Sequence, residues 1–309
     1  MKILVTGGAG FVGSILLPKL LDKGYQVRVL DNLMCGGGGL LPYFINKNFE
    51  FIRGDILDSN IVRESISDID LIIHLAAIVG YPACKKQPEL AKAVNLDATA
   101  NIDKSRSKNQ PIIFASTISN YGSVETGFCT ENTPLNPLTL YGETKTSAER
   151  HLLDSGNVVV YRFATAIGLS PRLRLDLLVN DFVYQALKNK QLIVYEKDFK
   201  RAFVHVTDMV RAIIFAIENF DRMLDNVYNI GSEAMNFSKE EIALMIREKV
   251  DYLLHFADVG EDPDKRNYEV SYQKIQSLGF DTLISMEEVI DELVRGLQTI
   301  DARNVYSNV

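Results

Sequence analysis

Four tyrosines in the chain are followed by a lysine four positions later: Tyr43/Lys47, Tyr81/Lys85, Tyr141/Lys145 and Tyr184/Lys188. On a helix, residues four apart share a face. There a lysine ammonium lowers the pKa of the phenol, and the phenolate can take a proton from a substrate alcohol. The chain has 13 tyrosines, so the spacing recurs without meaning and context must choose. Tyr81 precedes Pro82 and reads as loop, while Tyr43 lies in a turn-rich segment with Asn46. Tyr184 is helical but comes late in the chain, and reads as packing. Tyr141 alone opens a helix, after Pro134 and Pro137, and follows the hydroxyl pair Ser116-Thr117. Thr117 would donate or relay a hydrogen bond at the substrate oxygen; the plainer reading is a strand-end hydroxyl capping backbone.

A base of this kind needs an oxidant beside it, and the first 31 residues supply the means to hold one. Lys2 to Val5 is an apolar run and Thr6-Gly7-Gly8-Ala9-Gly10-Phe11-Val12-Gly13 is a glycine turn. Ser14 to Lys23 has helical spacing, and Gln26 to Leu30 is a second apolar run that stops at Asp31. Strand, glycine turn, helix, strand and acid make a dinucleotide-binding unit. Gly7 permits the tight turn, Gly10 lets backbone approach a pyrophosphate, and Gly13 lets the helix pack on the strand. The helix start offers free N–H groups and the positive end of its dipole. Asp31 would accept hydrogen bonds from the adenosine ribose and repel a 2′-phosphate, which favours NAD over NADP. The oxidised nicotinamide would lower the Tyr141 pKa further, and hydride would leave the same carbon for NAD.

The rest of the chain continues the alternation. Strands are expected at Phe49 to Ile52, Asp70 to Leu75, Gln110 to Ala115 and Asn157 to Phe163, with helices at Pro88 to Lys108 and Leu140 to Leu153. This predicts an α/β fold, a doubly wound parallel sheet of the Rossmann type. Asp55 falls just past a strand's carboxyl end and could reach the adenine, and Ala76-Ala77 let the cofactor ribose approach. His74 reads as a hydrogen-bonded core residue. Gly36 to Gly39 make either a loop closing over the adenosine or an ordinary surface loop. Beyond Gly168 the rhythm changes: a basic turn at Ser170 to Arg174, a helix at Asp176 to Asn189, short strands in Gln191 to Val206, and a helix at Asp208 to Asn219. Val227 to Ile230 returns to the sheet, and helices near Lys239 to Lys249 and Ser285 to Ile300 follow. The expected division is a cofactor domain over 1–168, with returns near 203–231, and a smaller substrate-binding C-terminal lobe mainly over 169–309.

Bulk properties exclude several classes. The 309 residues are 47% hydrophobic and 24% charged, with a net charge of −7 and mixed signs. That offers no surface for nucleic acid or an anionic membrane. No apolar run reaches membrane-spanning length, and Met1 and Lys2 lead straight into the first strand without a signal peptide, so the cytoplasm is the expected location. Cys35, Cys84 and Cys129 are far apart and read as free thiols, and the four histidines have no ligand spacing, so no metal site is expected.

With these motifs in order, the chain resembles the extended short-chain dehydrogenase/reductase family of nucleotide-sugar epimerases and dehydratases. The glycine turn, Ser116-Thr117 with Tyr121-Gly122, Tyr141 with Lys145, and Arg201-Ala202-Phe203-Val204-His205-Val206 carry the resemblance. It implies tightly held NAD, a nucleotide diphosphate-sugar substrate, and a homodimer through helices around Ala91 to Lys104 and Leu140 to Leu153. The implied catalytic residues are Thr117, Tyr141 and Lys145. NAD would be met by Gly7, Gly10, Phe11, Val12, Gly13, Asp31, Asn32, Asp55, Ile56, Leu75, Ala76 and Ala77, with Tyr141 and Lys145 at the nicotinamide. Substrate would be met by Thr117, Thr165, Asn180, Arg201 and Arg266, the two arginines gripping the diphosphate. Ser170 to Leu177 and Gly260 to Arg266 resemble bacterial polysaccharide enzymes, including GDP-heptose 4-dehydrogenases.

Three departures bear on substrate and outcome: Thr165 stands where Asn is frequent, no lysine stands near Ile78-Val79, and Asn120 replaces an aliphatic residue. The 4,6-dehydratases of the family place Asp-Glu directly after the catalytic Thr, and here Ile118-Ser119 follow. Redox at one sugar carbon, expected at C4, is the reading. It ends in 4-epimerisation through a 4-keto intermediate or in net 4-dehydrogenation. A catalytically silent NAD-binding scaffold is the remote alternative, against which Thr117, Tyr141 and Lys145 all stand.

Overall fold

The computed structural model describes residues 1–123, 127–257 and 269–300. Its centre is a seven-stranded parallel sheet. In chain order the strands are β1 (Lys2–Thr6), β2 (Gln26–Asp31), β3 (Phe49–Arg53), β4 (Leu71–His74), β5 (Ile112–Thr117), β6 (Val158–Phe163) and β7 (Asn226–Ile230). Their order across the sheet is β7-β6-β5-β4-β1-β2-β3, so the chain winds outward from β1 in both directions. β4 and β6 are buried along their whole length. Such strands read as continuous apolar runs because helices cover both faces.

The point where the order reverses lies between β1 and β4, and ligands of open α/β sheets bind outside the carboxyl ends there. The local sequence shapes that edge. Gly7 adopts φ +72, and a Cβ there would stand 2.7 Å from the Ala76 backbone nitrogen. The turn therefore lies against the end of β4 with no space for a side chain. At Gly13, the first residue of the helix Gly13–Asp22, a Cβ would stand 2.5 Å from the Gly8 carbonyl oxygen. This is the close helix–turn packing expected of the third glycine.

The helix expected over Pro88 to Lys108 is instead Pro88–Lys92, a wider π turn Ala93–Asp97, and Ala98–Ser105. The wide turn carries Asn95, whose carboxamide accepts from Ile78 N–H at 2.8 Å and donates to the Ile78 carbonyl at 3.0 Å. Its Nδ2 also donates to Thr144 Oγ1 at 3.2 Å, tying the loop after β4 to the helix Leu140–Ser155. Strand β5 runs two residues further than expected and includes Ser116 and Thr117.

A second apolar core, from Ile167 to Leu297, gathers the helices Leu178–Lys188, Lys239–Lys249 and Met286–Gly296. Strand Lys200–His205 pairs parallel with Thr165–Ile167 and antiparallel with Asn236–Ser238, and so carries Arg201 toward the sheet edge. No helix among the described residues is long and apolar enough to cross a membrane.

Candidate active site

A cleft of about 550 Å³ runs along the carboxyl edge of the sheet. Its lining includes Gly7, Gly10, Phe11, Val12, Gly13, Asp31, Asn32, Asp55, Ile56, Leu75, Ala76 and Ala77, and also Thr117, Tyr141, Lys145, Thr165 and Arg201. Residues proposed from separate motifs thus share one wall. Two do not. Arg266 lies outside the described residues. Asn180 is fully buried behind the cleft, not in it, its amide bonded to the backbone of Gly168 and Arg174. In this position the Asn180 amide braces the backbone at both ends of residues 168–174.

The adenosine end is built on the tip of β2. Asp31 Oδ2 accepts from Ala9 N–H at 2.9 Å and Oδ1 from Leu33 N–H at 2.8 Å. Burial pushes the Asp31 pKa up, and these two N–H groups oppose it. Each oxygen retains a lone pair for a ribose hydroxyl. Asn32 Nδ2 donates to Asp55 Oδ2 at 2.9 Å, which joins the tips of β2 and β3.

The reacting end is built on β5 and the helix Leu140–Ser155. Thr139 caps that helix, its Oγ1 accepting from Gly142 N–H at 3.2 Å, so Tyr141 falls in the first turn. Tyr141 is half-buried; Lys145, one turn on, is 3% exposed. Lys145 Nζ stands 3.9 Å from the centre of the Phe114 ring, a cation–π contact with β5. Burial lowers the Lys145 pKa to about 7, against the pull of Glu149 and Cys84. Thr117 Oγ1 donates to Ser119 Oγ at 2.9 Å and accepts from Ser119 N–H at 3.1 Å. Thr117 thus caps the following turn, the plainer reading, and also lines the cleft.

His74 behaves as a core residue. Its ring nitrogens meet Thr6 Oγ1 at 2.7 Å and Thr99 Oγ1 at 2.9 Å, and burial, with the nearby Lys145 charge, lowers its pKa to about 3. Tyr184 packs in the second core. Tyr81 requires a correction: it opens a helix, Tyr81–Lys86, instead of lying in a loop, and it lines the cleft.

Other side chains were not assigned a role from sequence. Arg172 and Arg174 are each 8% exposed and line the cleft with Arg201. Arg174 is paired to Asp176. Beneath Lys145, Glu149 is 1% exposed and accepts from Ser116 Oγ at 2.6 Å, Asn120 Nδ2 at 3.1 Å and the Arg162 guanidinium. Arg162 Nη1 continues to Tyr121 OH, which donates to Asn229 Oδ1 at 2.7 Å. The signal for Glu149 was its position four residues after Lys145 on the same helix face. Asn120, the polar departure from the family pattern, is a member of this network.

A model of the NAD dependent epimerase/dehydratase family matches residues 3–231. The chain belongs to that family. It is an NAD-dependent enzyme of the extended short-chain dehydrogenase/reductase type, and the glycine cradle and the Asp31 carboxylate fit that cofactor. Among family relatives, UDP-glucuronic acid decarboxylase 1 of Arabidopsis thaliana is 31% identical, over 95% of this chain and 69% of its own. The putative UDP-glucose 4-epimerase of Methanocaldococcus jannaschii is 28% identical, over 96% of this chain and 98% of its own. Of the solved structures, UDP-glucuronic acid 4-epimerase from Bacillus cereus, in complex with UDP-glucuronic acid and NAD, superposes with a TM-score of 0.86. It is 27% identical over 96% of this chain and 99% of its own.

Proposed function

We propose that the protein oxidises the C4 hydroxyl of a nucleotide diphosphate-sugar and returns the hydrogen to the other face, as a 4-epimerase. The observation that carries this reading is the convergence of Tyr141, Lys145, Thr117 and Arg201 on the cleft that also receives the glycine turn. Tyr141 removes the hydroxyl proton as base and gives it back as acid when the ketone is reduced. Lys145, one turn below, favours the phenolate when its ammonium is protonated. Thr117 directs a hydrogen bond to the same substrate oxygen. The glycine turn and Asp31 would hold NAD, which would supply the hydride acceptor for C4. Arg201 grips the diphosphate, with Arg266 as its partner, and Thr165 contacts the sugar. A homodimer through the helices around Ala91 to Lys104 and Leu140 to Leu153 belongs to the same reading.

The residues after Thr117 support chemistry confined to one carbon. Elimination of water needs an acid and a base at C6 and C5. Ile118 carries no proton, and Ser119 is bonded to Thr117. Among the described residues, the carboxylates that line the cleft are Asp31, Asp55 and Asp176. The first two are at the adenosine end and the third is paired to Arg174.

Incubation with UDP- and GDP-linked hexoses, heptoses and uronic acids in deuterated water tests the reading. The expected product is the C4 epimer, with no deuterium at C5 and no change of mass. A uronic acid oxidised at C4 becomes a β-keto acid, so loss of CO₂ would identify a decarboxylase instead. Loss of water, deuterium at C5, or stoichiometric release of reduced cofactor would each overturn the epimerase reading.

A further inference from the structure

The segment from Gly168 to Arg174 leaves the second core, reaches the glycine turn and goes back to the helix Leu178–Lys188. Its path is fixed by contacts far apart in sequence. Ser170 Oγ donates to the Phe11 carbonyl at 2.7 Å, across 159 residues. A Cβ built on Gly39 would stand 3.3 Å from Pro171 Cβ and 3.1 Å from Ser14 Oγ. The segment, the loop after β2 and the first turn of the helix Gly13–Asp22 therefore meet at one point. Phe11 also packs with Leu177 and Val206 in a small buried cluster.

The same segment is braced from behind. Asn180 Nδ2 donates to the carbonyls of Gly168 at 2.9 Å and Arg174 at 3.0 Å, and its Oδ1 accepts from Gly168 N–H at 3.1 Å. Gly168 has φ +104, and a Cβ there would overlap the His205 ring. No proton transfer by Tyr141 requires such a brace. The glycine turn, in contrast, must face a diphosphate with two negative charges. Between Gly7 and Ile56 the cleft lining contains no Lys or Arg and two carboxylates, Asp31 and Asp55. The helix start supplies only partial positive charge. Arg172 lines that cleft two residues after the Ser170 anchor.

We propose that residues 168–174 form a strap that retains NAD, with Ser170 pinning it to the Phe11 carbonyl and Arg172 supplying positive charge to the dinucleotide diphosphate. Retention has a purpose in an enzyme that oxidises and reduces within one turnover, because reduced cofactor lost midway leaves a stranded ketone. The inference rests on the cofactor and not on the sugar, so it stands or falls apart from the epimerase reading.

The test is calorimetric titration of NAD into the substrate-free protein, together with the NAD content after gel filtration. Arg172→Gln is expected to weaken NAD binding on the order of tenfold or more, and Ser170→Ala about fivefold. Arg172→Lys should recover part of the loss, and Arg201→Ala should leave NAD binding unchanged. Unchanged NAD affinity in Arg172→Gln, with weakened binding of the sugar nucleotide, would assign Arg172 to substrate and overturn its role here. If Arg172→Gln does not fold, Ser170→Ala decides: NAD binding and retention equal to the unmodified protein would overturn the strap.

Discussion

Tyr81/Lys85 and Tyr141/Lys145 have the same spacing, both are helical, and both tyrosines line the cleft. Their lysines differ. Lys85 is exposed, with its ammonium 5.5 Å from the centre of the Tyr81 ring. Lys145 is 3% exposed, set against Phe114, with His74 and Cys84 nearby and Glu149 one turn away. A charge in water acts weakly on its neighbours, because solvent screens it. A buried charge acts strongly but persists only if something opposes its desolvation. Spacing alone therefore leaves the two pairs alike, and burial with a counter-charge is what separates them. Pro82 does not by itself separate the pairs, since it is accommodated in the first helical turn.

The comparison can be broken most directly by removing one hydroxyl at a time. Tyr141→Phe should lower turnover on the order of 10²–10⁴-fold while NAD still binds, the range for loss of a general acid–base group. Tyr81→Phe should stay within about twofold, and Tyr184→Phe likewise. Initial rates with each variant decide this, and a larger loss at Tyr81 or Tyr184 would reassign the base.

The second contrast is structural support. Lys145 stands over the Glu149 network, which joins the end of β5, the Tyr141 helix, β6 and the turn at Tyr121; nothing comparable is described around Lys85. Breaking a buried ion pair from one side costs about 3–5 kcal/mol. Arg162→Leu should therefore lower the urea midpoint by a corresponding amount, and Lys85→Ala should leave it within error. A stable Arg162→Leu protein would mean that the network is not holding the site together. Next in size, Arg201→Ala should weaken sugar-nucleotide binding by tenfold or more, from the 1.5–3 kcal/mol typical of a hydrogen bond to a charged group, and leave NAD binding intact. Equal affinity in the variant would return Arg201 to a structural role.

What could be read from sequence follows the range of the interactions involved. The unit from Lys2 to Asp31 is local: apolar period, glycine spacing and a terminal acid lie within one crossover, and the structure keeps each part in place. Thr117 and Tyr141 were legible because strand ends and helix starts have short-range markers. Arg172 was visible only as part of a basic turn, since its place on the cleft depends on Ser170 reaching Phe11. The bracing bonds of Asn180 were hidden for the same reason: its partners are backbone groups of a loop whose path no local pattern encodes. The π turn at Ala93–Asp97 has no marker either, because its cause is the fit of Asn95 to Ile78 and Thr144.

The last prediction turns on Lys145 itself. In the NAD-free protein its folded pKa is lowered to about 7 by burial, whereas the unfolded chain keeps the ordinary lysine value near 10.5. Between those values the unfolded state binds more protons than the folded state, so stability rises with pH across that window. One proton corresponds to a slope of at most about 1.4 kcal/mol per pH unit. Tyrosines and thiols titrate in the same range, so the informative quantity is a difference between variants. Lys145→Met should lose this rise, and Lys85→Met, a substitution on the exposed surface, is the control that should keep it. Denaturant midpoints measured from pH 7 to pH 10 for the three proteins give the comparison. Parallel curves for all three would mean that Lys145 stays solvated in the NAD-free protein, and burial would no longer separate the two pairs.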